Sequence, residues 1–108
     1  YDNMGLCYRR LGDFKNAVKY YNKSKEIYPN GVMAYQNLGV LYGIQKEYQK
    51  AIDEYKVIQK LYPDNAEGYY GTIKNYLGLA QYENAIIDAT KTIEIYGANE
   101  SPYLQDPQ

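Results

Sequence analysis

The sequence contains no histidine and no tryptophan, and its single cysteine is Cys7. One cysteine excludes a disulfide within the chain, and the lack of histidine excludes the Cys/His sets that bind zinc. A catalytic thiol would also lack its usual histidine base. No glycine-rich loop of the phosphate-binding type is present, and the carboxylates are scattered over polar positions. We therefore expect no metal, no cofactor and no catalytic residues, and so a protein that is not an enzyme.

The chain also lacks an excess of charge of one sign and a long apolar run. Its 12 Lys and Arg residues stand against 13 Asp and Glu residues, which gives a net charge of −1. Nucleic-acid-binding domains usually carry a basic excess, so we expect no nucleic-acid partner. No apolar run approaches the roughly 18 residues that cross a bilayer, so we expect no membrane insertion. A lone thiol fits a reducing compartment, which favours a cytoplasmic location.

The sequence does contain a repeat with a period of 34 residues, which separates Tyr1 from Tyr35 and Tyr35 from Tyr69. The same step relates further sets, namely Tyr8, Tyr42 and Tyr76; Phe14, Tyr48 and Tyr82; Ala17, Ala51 and Ala85; and Pro29 with Pro63. A fixed period of this length indicates a stack of identical supersecondary units, none of which can bury its apolar face alone. Because the sequence begins inside a unit, we expect it to be a piece of something longer.

Each unit is predicted to be a pair of helices joined by a short turn. In the middle unit, Tyr35, Leu38 and Tyr42 recur at helical spacing, and a second apolar stripe runs from Tyr48 until Pro63 ends it. The pattern predicts an all-α fold with helices at about 2–11, 14–28, 32–45, 48–61, 66–79 and 82–96. The repeat domain covers 1–99, with units 1–31, 32–65 and 66–99, and residues 100–108 form a tail or a broken next unit.

Three single residues carry local expectations. Asp13 precedes the second helix and is predicted to cap its N-terminus. Gly97 stands where the other units carry proline and is predicted to end the last helix. Cys7 lies beside a core tyrosine on the first helix, and we expect a buried structural thiol there.

Small residues predict how closely the helices of a unit approach. Gly5 and Gly39 lie inside first helices, where glycine costs roughly 1 kcal/mol relative to alanine. We expect them to face Ala17 and Ala51 on the second helices, so that close approach of the backbones offsets this cost. The third unit has Ile73 in place of the glycine, and we expect its two helices to be set slightly apart or shifted.

These residues resemble the tetratricopeptide repeat, a 34-residue helix–turn–helix unit. The middle unit carries Tyr35-x-x-Leu38-Gly39-x-x-Tyr42, then Ala51-x-x-x-Tyr55 and Pro63, and the first carries Tyr1-x-x-Met4-Gly5-x-x-Tyr8, then Ala17-x-x-x-Tyr21 and Pro29. The third unit keeps Tyr69, Tyr76 and Ala85 but departs at Thr72, Ile73, Ala89 and Gly97. The resemblance covers residues 1 to about 99. It implies a right-handed superhelix whose concave groove is lined by the first helix of each unit and docks a peptide or a helix of a partner protein.

The groove face also follows from helical spacing, because it lies opposite the core stripe of each first helix. We predict a peptide-binding groove formed by Asn3, Leu6, Arg10, Met33, Gln36, Asn37, Val40, Tyr70 and Lys74. Asn3 and Asn37 occupy equivalent positions, and a carboxamide can hydrogen-bond a peptide backbone whatever its side chains are. In similar repeat proteins an asparagine here contacts the ligand backbone. The alternative is that both amides bond a neighbouring helix or face water.

Other functions remain open at this stage. The chain is either a peptide-docking module or a structural or regulatory arm of a larger enzyme or multiprotein assembly, and a groove that binds nothing in isolation is a further alternative. The clamp for two carboxylates found in some similar proteins is disfavoured, because Glu67 and Gly71 follow Asn37 in the matching positions. The basic and aromatic stretch 19–25 is interpreted as a solvated helix face rather than an RNA site.

The last helix is crowded with isoleucine, at Ile86, Ile87 and Ile93. Solenoids normally cover the outer face of a terminal helix with polar residues. An apolar face there predicts either self-association of the chain or packing of the tail. Tyr103 falls at the next unit's aromatic position, whereas Pro107 stands where a helix interior should be.

Overall fold

The fold is all-α, as predicted, and consists of six helices in three consecutive pairs. The computed structural model describes residues 1–99, with side chains described through Gly97. The helices are α1 (Asp2–Arg10), α2 (Phe14–Ile27), α3 (Val32–Ile44), α4 (Tyr48–Leu61), α5 (Glu67–Gly78) and α6 (Tyr82–Asn99). Within this part of the chain no helix is long and apolar enough to cross a membrane. The predicted tail 100–108, with Tyr103 and Pro107, lies outside the described residues.

The bounds of the first five helices agree with the prediction to within one residue, whereas the predicted end of the last helix was wrong. Helix α6 continues through Gly97 to Asn99. A glycine ends a helix when it takes up a left-handed conformation, and Gly12 is the only glycine of residues 1–99 with a positive φ. Since α6 also lacks the proline that follows α2 and α4, its backbone continues past Gly97.

The turns inside the three units share one geometry. A backbone N–H donates to a tyrosine carbonyl five residues earlier in each unit, at 2.8 Å from Asp13 to Tyr8, 2.9 Å from Glu47 to Tyr42 and 2.9 Å from Gln81 to Tyr76. The residue before each donor has a positive φ, namely Gly12 at 80°, Lys46 at 62° and Ala80 at 59°. The predicted cap of α2 is confirmed, because the Asn16 N–H donates to Asp13 Oδ1 at 3.3 Å. The turn inside every unit therefore contains one residue in the left-handed conformation, and only in the first unit is this residue a glycine.

We expect Ala80→Gly to raise the free energy of unfolding by about 1 kcal/mol. A side chain is strained at the positive φ of Ala80, and glycine removes that strain. The exposed Ala80 side chain has no packing to lose. Urea denaturation measures the change, with Ala89→Gly as the matched control inside α6, which should lose about 1 kcal/mol. Equal losses in both variants would contradict the strain at position 80.

The core is continuous across unit boundaries. Ala17 and Tyr21 of the first unit form one buried cluster with Leu38 and Leu41 of the second. Another cluster joins Ile52 of α4 to Tyr76 and Ala85 of the third unit. A third cluster, formed by Tyr35, Tyr55 and Ile58, fills the space between α3 and α4. Each unit thus buries part of its apolar face against the next one, as expected for a stack of repeats.

We expected the glycines inside the first helices to face alanines, and this expectation was wrong. A Cβ added at Gly5 would lie 2.4 Å from the Tyr21 ring, and one added at Gly39 would lie 2.5 Å from the Tyr55 ring. The glycines therefore make room for a tyrosine ring rather than facing an alanine.

The third unit exchanges large for small at both of these positions. Ile73 stands at the glycine position and Ala89 at the tyrosine position. Ile73 packs against the cluster that contains Tyr76 and Ala85. Because the exchange keeps the combined volume similar, it removes the reason for which we expected the helices of this unit to be set apart.

The burial predicted for Cys7 was also wrong, since its side chain is exposed. The equivalent residues Leu41 and Asn75 are 0% and 5% exposed, because both face the unit that precedes their own. No unit precedes Cys7 in the described structure. The repeat pattern locates the position on the helix correctly, but its burial depends on a neighbouring unit.

Consecutive units are also joined by one recurring polar pair. Lys25 of the first unit forms an ion pair with Glu54 of the second, at 2.8 Å between Nζ and Oε1. One period later, Gln59 Nε2 lies 3.5 Å from Asp88 Oδ2. The buried Thr72 hydroxyl also donates to the Asp88 carboxylate, which satisfies a polar group at a position where the middle unit has leucine.

Candidate functional site

A pocket of about 380 Å³ opens between α3 and α5, where the middle and third units meet. Its floor is formed by glycines at Gly39, Gly43 and Gly71 and by the ring of Tyr55 behind them. The glycines bring the two helices near the ring and leave space above it. The pocket therefore exists because small residues on two first helices face one large residue on α4.

Tyr55 is the structural support of this floor. Its ring is 5% exposed and lies between two glycines, since a Cβ added at Gly71 would be 2.2 Å from the ring and one added at Gly39 would be 2.5 Å away. Burial, together with the nearby Glu67 carboxylate, raises the pKa of Tyr55 to about 12. The phenol therefore remains neutral at physiological pH and presents an uncharged surface to the pocket.

The walls of the pocket are apolar and open to solvent. Val40 and Ile44 on α3 are 37% and 52% exposed, and Tyr70 and Leu77 on α5 are 61% and 49% exposed. All four line the same recess. Apolar walls within a concave surface are typical of a binding site, whereas single exposed apolar residues are common on any protein surface.

Two side chains of opposite charge, Glu67 and Lys74, line the pocket. The Gln36 side chain donates to Glu67 Oε2 at 3.3 Å, which joins α3 to α5 and holds the carboxylate in place. Lys74 lines the pocket seven residues further along α5, about 10 Å away at the rise of an α-helix. The buried Asn75 amide donates to the Gly71 carbonyl at 2.8 Å. A bound segment would thus meet one carboxylate and one ammonium group in addition to the apolar walls.

Four of the nine predicted groove residues line this pocket, namely Gln36, Val40, Tyr70 and Lys74. Of the other five, Asn3 and Arg10 are exposed, and Leu6 and Asn37 are half-buried. Met33 is exposed and lines a second, smaller recess of about 230 Å³ that includes Asp2 of α1. The structure therefore brings together four predicted residues of the second and third units and leaves Met33, Asn37 and the three predicted residues of α1 outside the pocket.

Several lining residues were missed by sequence reasoning. Leu77 lies two helical turns after Tyr70, so helical spacing from a predicted groove residue was a sufficient signal for it. Gly43 lies two helical turns after the predicted groove residue Gln36 and could have been found in the same way. Tyr55 carried no such signal, because its periodic position indicates a core residue and the ring reaches the pocket only between two glycines.

Among the described residues, no group of three or more His, Cys, Asp or Glu side chains is placed to hold a metal ion. The features that distinguish the pocket are its shape, its apolar walls and its two side chains of opposite charge.

Comparison with known families agrees with the repeat seen in the sequence and in the helix pairs. The family model described as tetratricopeptide repeat matches residues 1–64, which is more than half of the chain. The chain belongs to the tetratricopeptide repeat family. Repeats of this family generally mediate protein–protein interaction. Because the family covers many binding surfaces, membership leaves the occupant of the pocket open.

Solved structures of MamA have the same fold as this tetratricopeptide repeat chain. The one described as MamA MSR-1 C2 is 23% identical, with a TM-score of 0.79 over 89% of this chain and 55% of that chain. The one described as MamA RS-1 ArsTM double mutant is 28% identical, with a TM-score of 0.74 over 86% of this chain and 52% of that chain. This chain thus spans about half the length of the structures it matches. No curated protein matches it.

Proposed function

We propose that this tetratricopeptide repeat chain is a non-catalytic docking module, and that the pocket between α3 and α5 binds a segment of a partner protein. The observation that carries the proposal is the apolar recess over Tyr55, walled by Val40, Ile44, Tyr70 and Leu77. Four apolar side chains exposed together around one recess are typical of a binding surface and are not expected in a groove that only faces water. The units that form this site are 32–65 and 66–99.

The size and charge of the recess define what it accepts. A volume of about 380 Å³ accommodates one or two large apolar side chains rather than a whole folded domain. The pocket carries one carboxylate, Glu67, and one ammonium group, Lys74, and so lacks the basic excess that a nucleic-acid strand requires. An extended or helical peptide that inserts an apolar side chain satisfies both conditions, and its backbone remains within reach of Gln36 and Lys74.

Selection from a phage-displayed library of random peptides provides a defined probe for the site. The native chain is the selection target, and an enriched peptide is then measured by fluorescence anisotropy against native protein and variants. We expect Val40→Glu to weaken binding of this peptide by at least about tenfold, because the new carboxylate loses water without gaining a partner when the pocket is filled.

Ile27→Glu is the matched control for this experiment. Ile27 is 52% exposed at the end of α2, outside the pocket lining, and undergoes the same chemical change. Its affinity for the peptide should equal that of the native chain. Equal weakening in both variants, or none in Val40→Glu, would contradict binding in this pocket. Unchanged affinity at raised salt would separate apolar docking from nucleic-acid-like electrostatic binding.

A further inference from the structure

Helix α6 exposes an apolar stripe on the face that would meet a following unit. Tyr82, Ile86 and Ile93 are 61%, 65% and 71% exposed and lie at spacings of four and seven residues along one side of the helix. Because a helical turn holds about 3.6 residues, these side chains share a face. Their equivalents in α4, one period earlier, are Tyr48, Ile52 and Gln59.

In α4 the equivalent residues are covered by the next unit. The Tyr48 ring lies against Gly78, where an added Cβ would be 2.6 Å away. Ile52 is buried in one cluster with Tyr76. Gln59 Nε2 donates to the Gly68 carbonyl at 2.8 Å. The stripe on α6 is therefore a surface of the kind that a first helix, such as α5, covers.

Helix α1 exposes the complementary surface. Cys7 is exposed at a position where Leu41 and Asn75 are buried by the preceding unit. Tyr20 and Tyr8 stack beside it at 5.4 Å between ring centroids. Among the described residues, no helix lies over this face of α1, and none lies over the stripe on α6.

We propose that α6 of one copy packs against α1 of a second copy, in the same register in which α4 packs against α5. A second copy is favoured over another partner because the side chains of its first unit match those of α6 in polarity and size. At the two internal junctions, the recurring pair is polar: Lys25 with Glu54, and Gln59 with Asp88.

At the junction between copies, the same two positions carry Ile93 and Tyr20 of the second copy. Both members of the pair change from polar to apolar together, which keeps the pair matched. An unmatched end would have placed Ile93 opposite a charge. Tyr20 also stacks with Tyr1, at 6.1 Å between ring centroids, so Ile93 would meet a group of aromatic rings rather than a single ring.

Side-chain sizes are matched at the neighbouring positions as well. Tyr55 of α4 requires Gly71 opposite it, and the equivalent pair between copies is Ala89 with Asn3 of the second copy. Loss of the ring makes room for the larger asparagine. Tyr82 would lie over the Arg10 guanidinium of the second copy, an arrangement in which a cation and an aromatic ring attract each other.

This contact joins the α6 stripe of one copy to the α1 face of another. In the resulting pair, one α1 face and one α6 stripe are still exposed. Such heterologous contacts build open chains of copies unless their rotation closes a ring. We therefore expect the average mass of the protein to rise steadily with concentration, beyond that of a dimer.

Two single-cysteine proteins test the register directly. The native chain contributes Cys7, and a tagged double variant with Cys7→Ser and Ala89→Cys contributes a thiol on α6. Leu41 packs in one cluster with Ala17 and Tyr21, and Ala89 is equivalent to Tyr21. Cys7 of one copy should therefore lie beside position 89 of another. Mixed under mild oxidation, the two proteins should form a disulfide-linked heterodimer, visible by its mass on a non-reducing gel.

Homodimers of either protein at the level of the heterodimer would overturn the register, because symmetric pairing brings like thiols together. Absence of any cross-link, with a monomer at all concentrations in sedimentation, would overturn the proposal and indicate that residues 100–108 or another segment covers α6.

Sedimentation of two lysine variants adds a matched control. Ile93→Lys should abolish the concentration-dependent rise in mass. Ile87→Lys should leave it unchanged, because Ile87 is 62% exposed at a position where the other units carry exposed Lys19 and Asp53. Equal effects of the two substitutions would contradict a contact through the Ile93 stripe.

Discussion

Tyr55→Ala is expected to reduce the free energy of unfolding by about 3–5 kcal/mol. The ring is 5% exposed and shares a buried cluster with Tyr35 and Ile58. Gly39 and Gly71 have no side chains with which to fill the space that the ring leaves. Because the neighbouring helices cannot collapse onto a smaller residue, a cavity should remain behind the pocket floor. Urea denaturation followed by circular dichroism measures the loss.

Tyr70→Ala is the control for this substitution, since it makes the same chemical change at a side chain that is 61% exposed. Surface substitutions of this kind usually alter stability by no more than about 0.5 kcal/mol. A loss at Tyr70 as large as that at Tyr55 would mean that the buried ring is not the support of the α3–α5 junction.

Gly71→Ala is expected to destabilise the chain by about 1–3 kcal/mol, although alanine is the better helix former by about 1 kcal/mol. An added Cβ would lie 2.2 Å from the Tyr55 ring, and Gly39 blocks movement of that ring to its other side. The steric cost should therefore exceed the gain in helix propensity. The same denaturation experiment gives the change in free energy.

A double-mutant cycle isolates the cause. In a Tyr55→Ala background the obstacle is absent, so Gly71→Ala should become neutral or stabilising. The coupling between the two sites would then be at least as large as the loss seen for Gly71→Ala alone. An identical loss in both backgrounds would show that Gly71 is required for a reason other than the Tyr55 ring.

Periodicity predicted the helices well because each position of the unit is repeated in two or three copies. The pattern of Tyr35, Leu38 and Tyr42 is supported by the same residue types one period earlier or later, so chance agreement is small. The end of α6 had no such support. The other units carry proline at the position of Gly97, and a glycine alone does not decide between stopping a helix and continuing it.

Burial and pairing were harder to predict because they depend on a second element. Cys7 and Leu41 occupy equivalent positions, yet in the described structure a preceding unit covers only Leu41. The departures at Ile73 and Ala89 appear as two defects when each is taken alone. Only the contact of Gly39 with Tyr55 shows that the two positions compensate each other.

Four of the predicted groove residues line the pocket, all of them in the second and third units, whereas the residues predicted on α1 do not line it. Helical spacing identifies the exposed face of α3, to which Gln36 and Val40 belong, but spacing does not say which neighbouring helix that face meets. The pocket forms at the α3–α5 junction because glycines lie there, and no glycine of α1 contributes to its lining.

Amide NMR spectra of the labelled chain, titrated with the selected peptide, test the docking site most directly. Docking in the pocket predicts that the largest shifts occur at Gln36, Val40, Tyr70 and Lys74, with little change at the exposed Lys19 and Asp53 on the second helices. Shifts confined to the second helices, or to the exposed stripe of α6, would contradict the assignment of the pocket between α3 and α5 as the docking site.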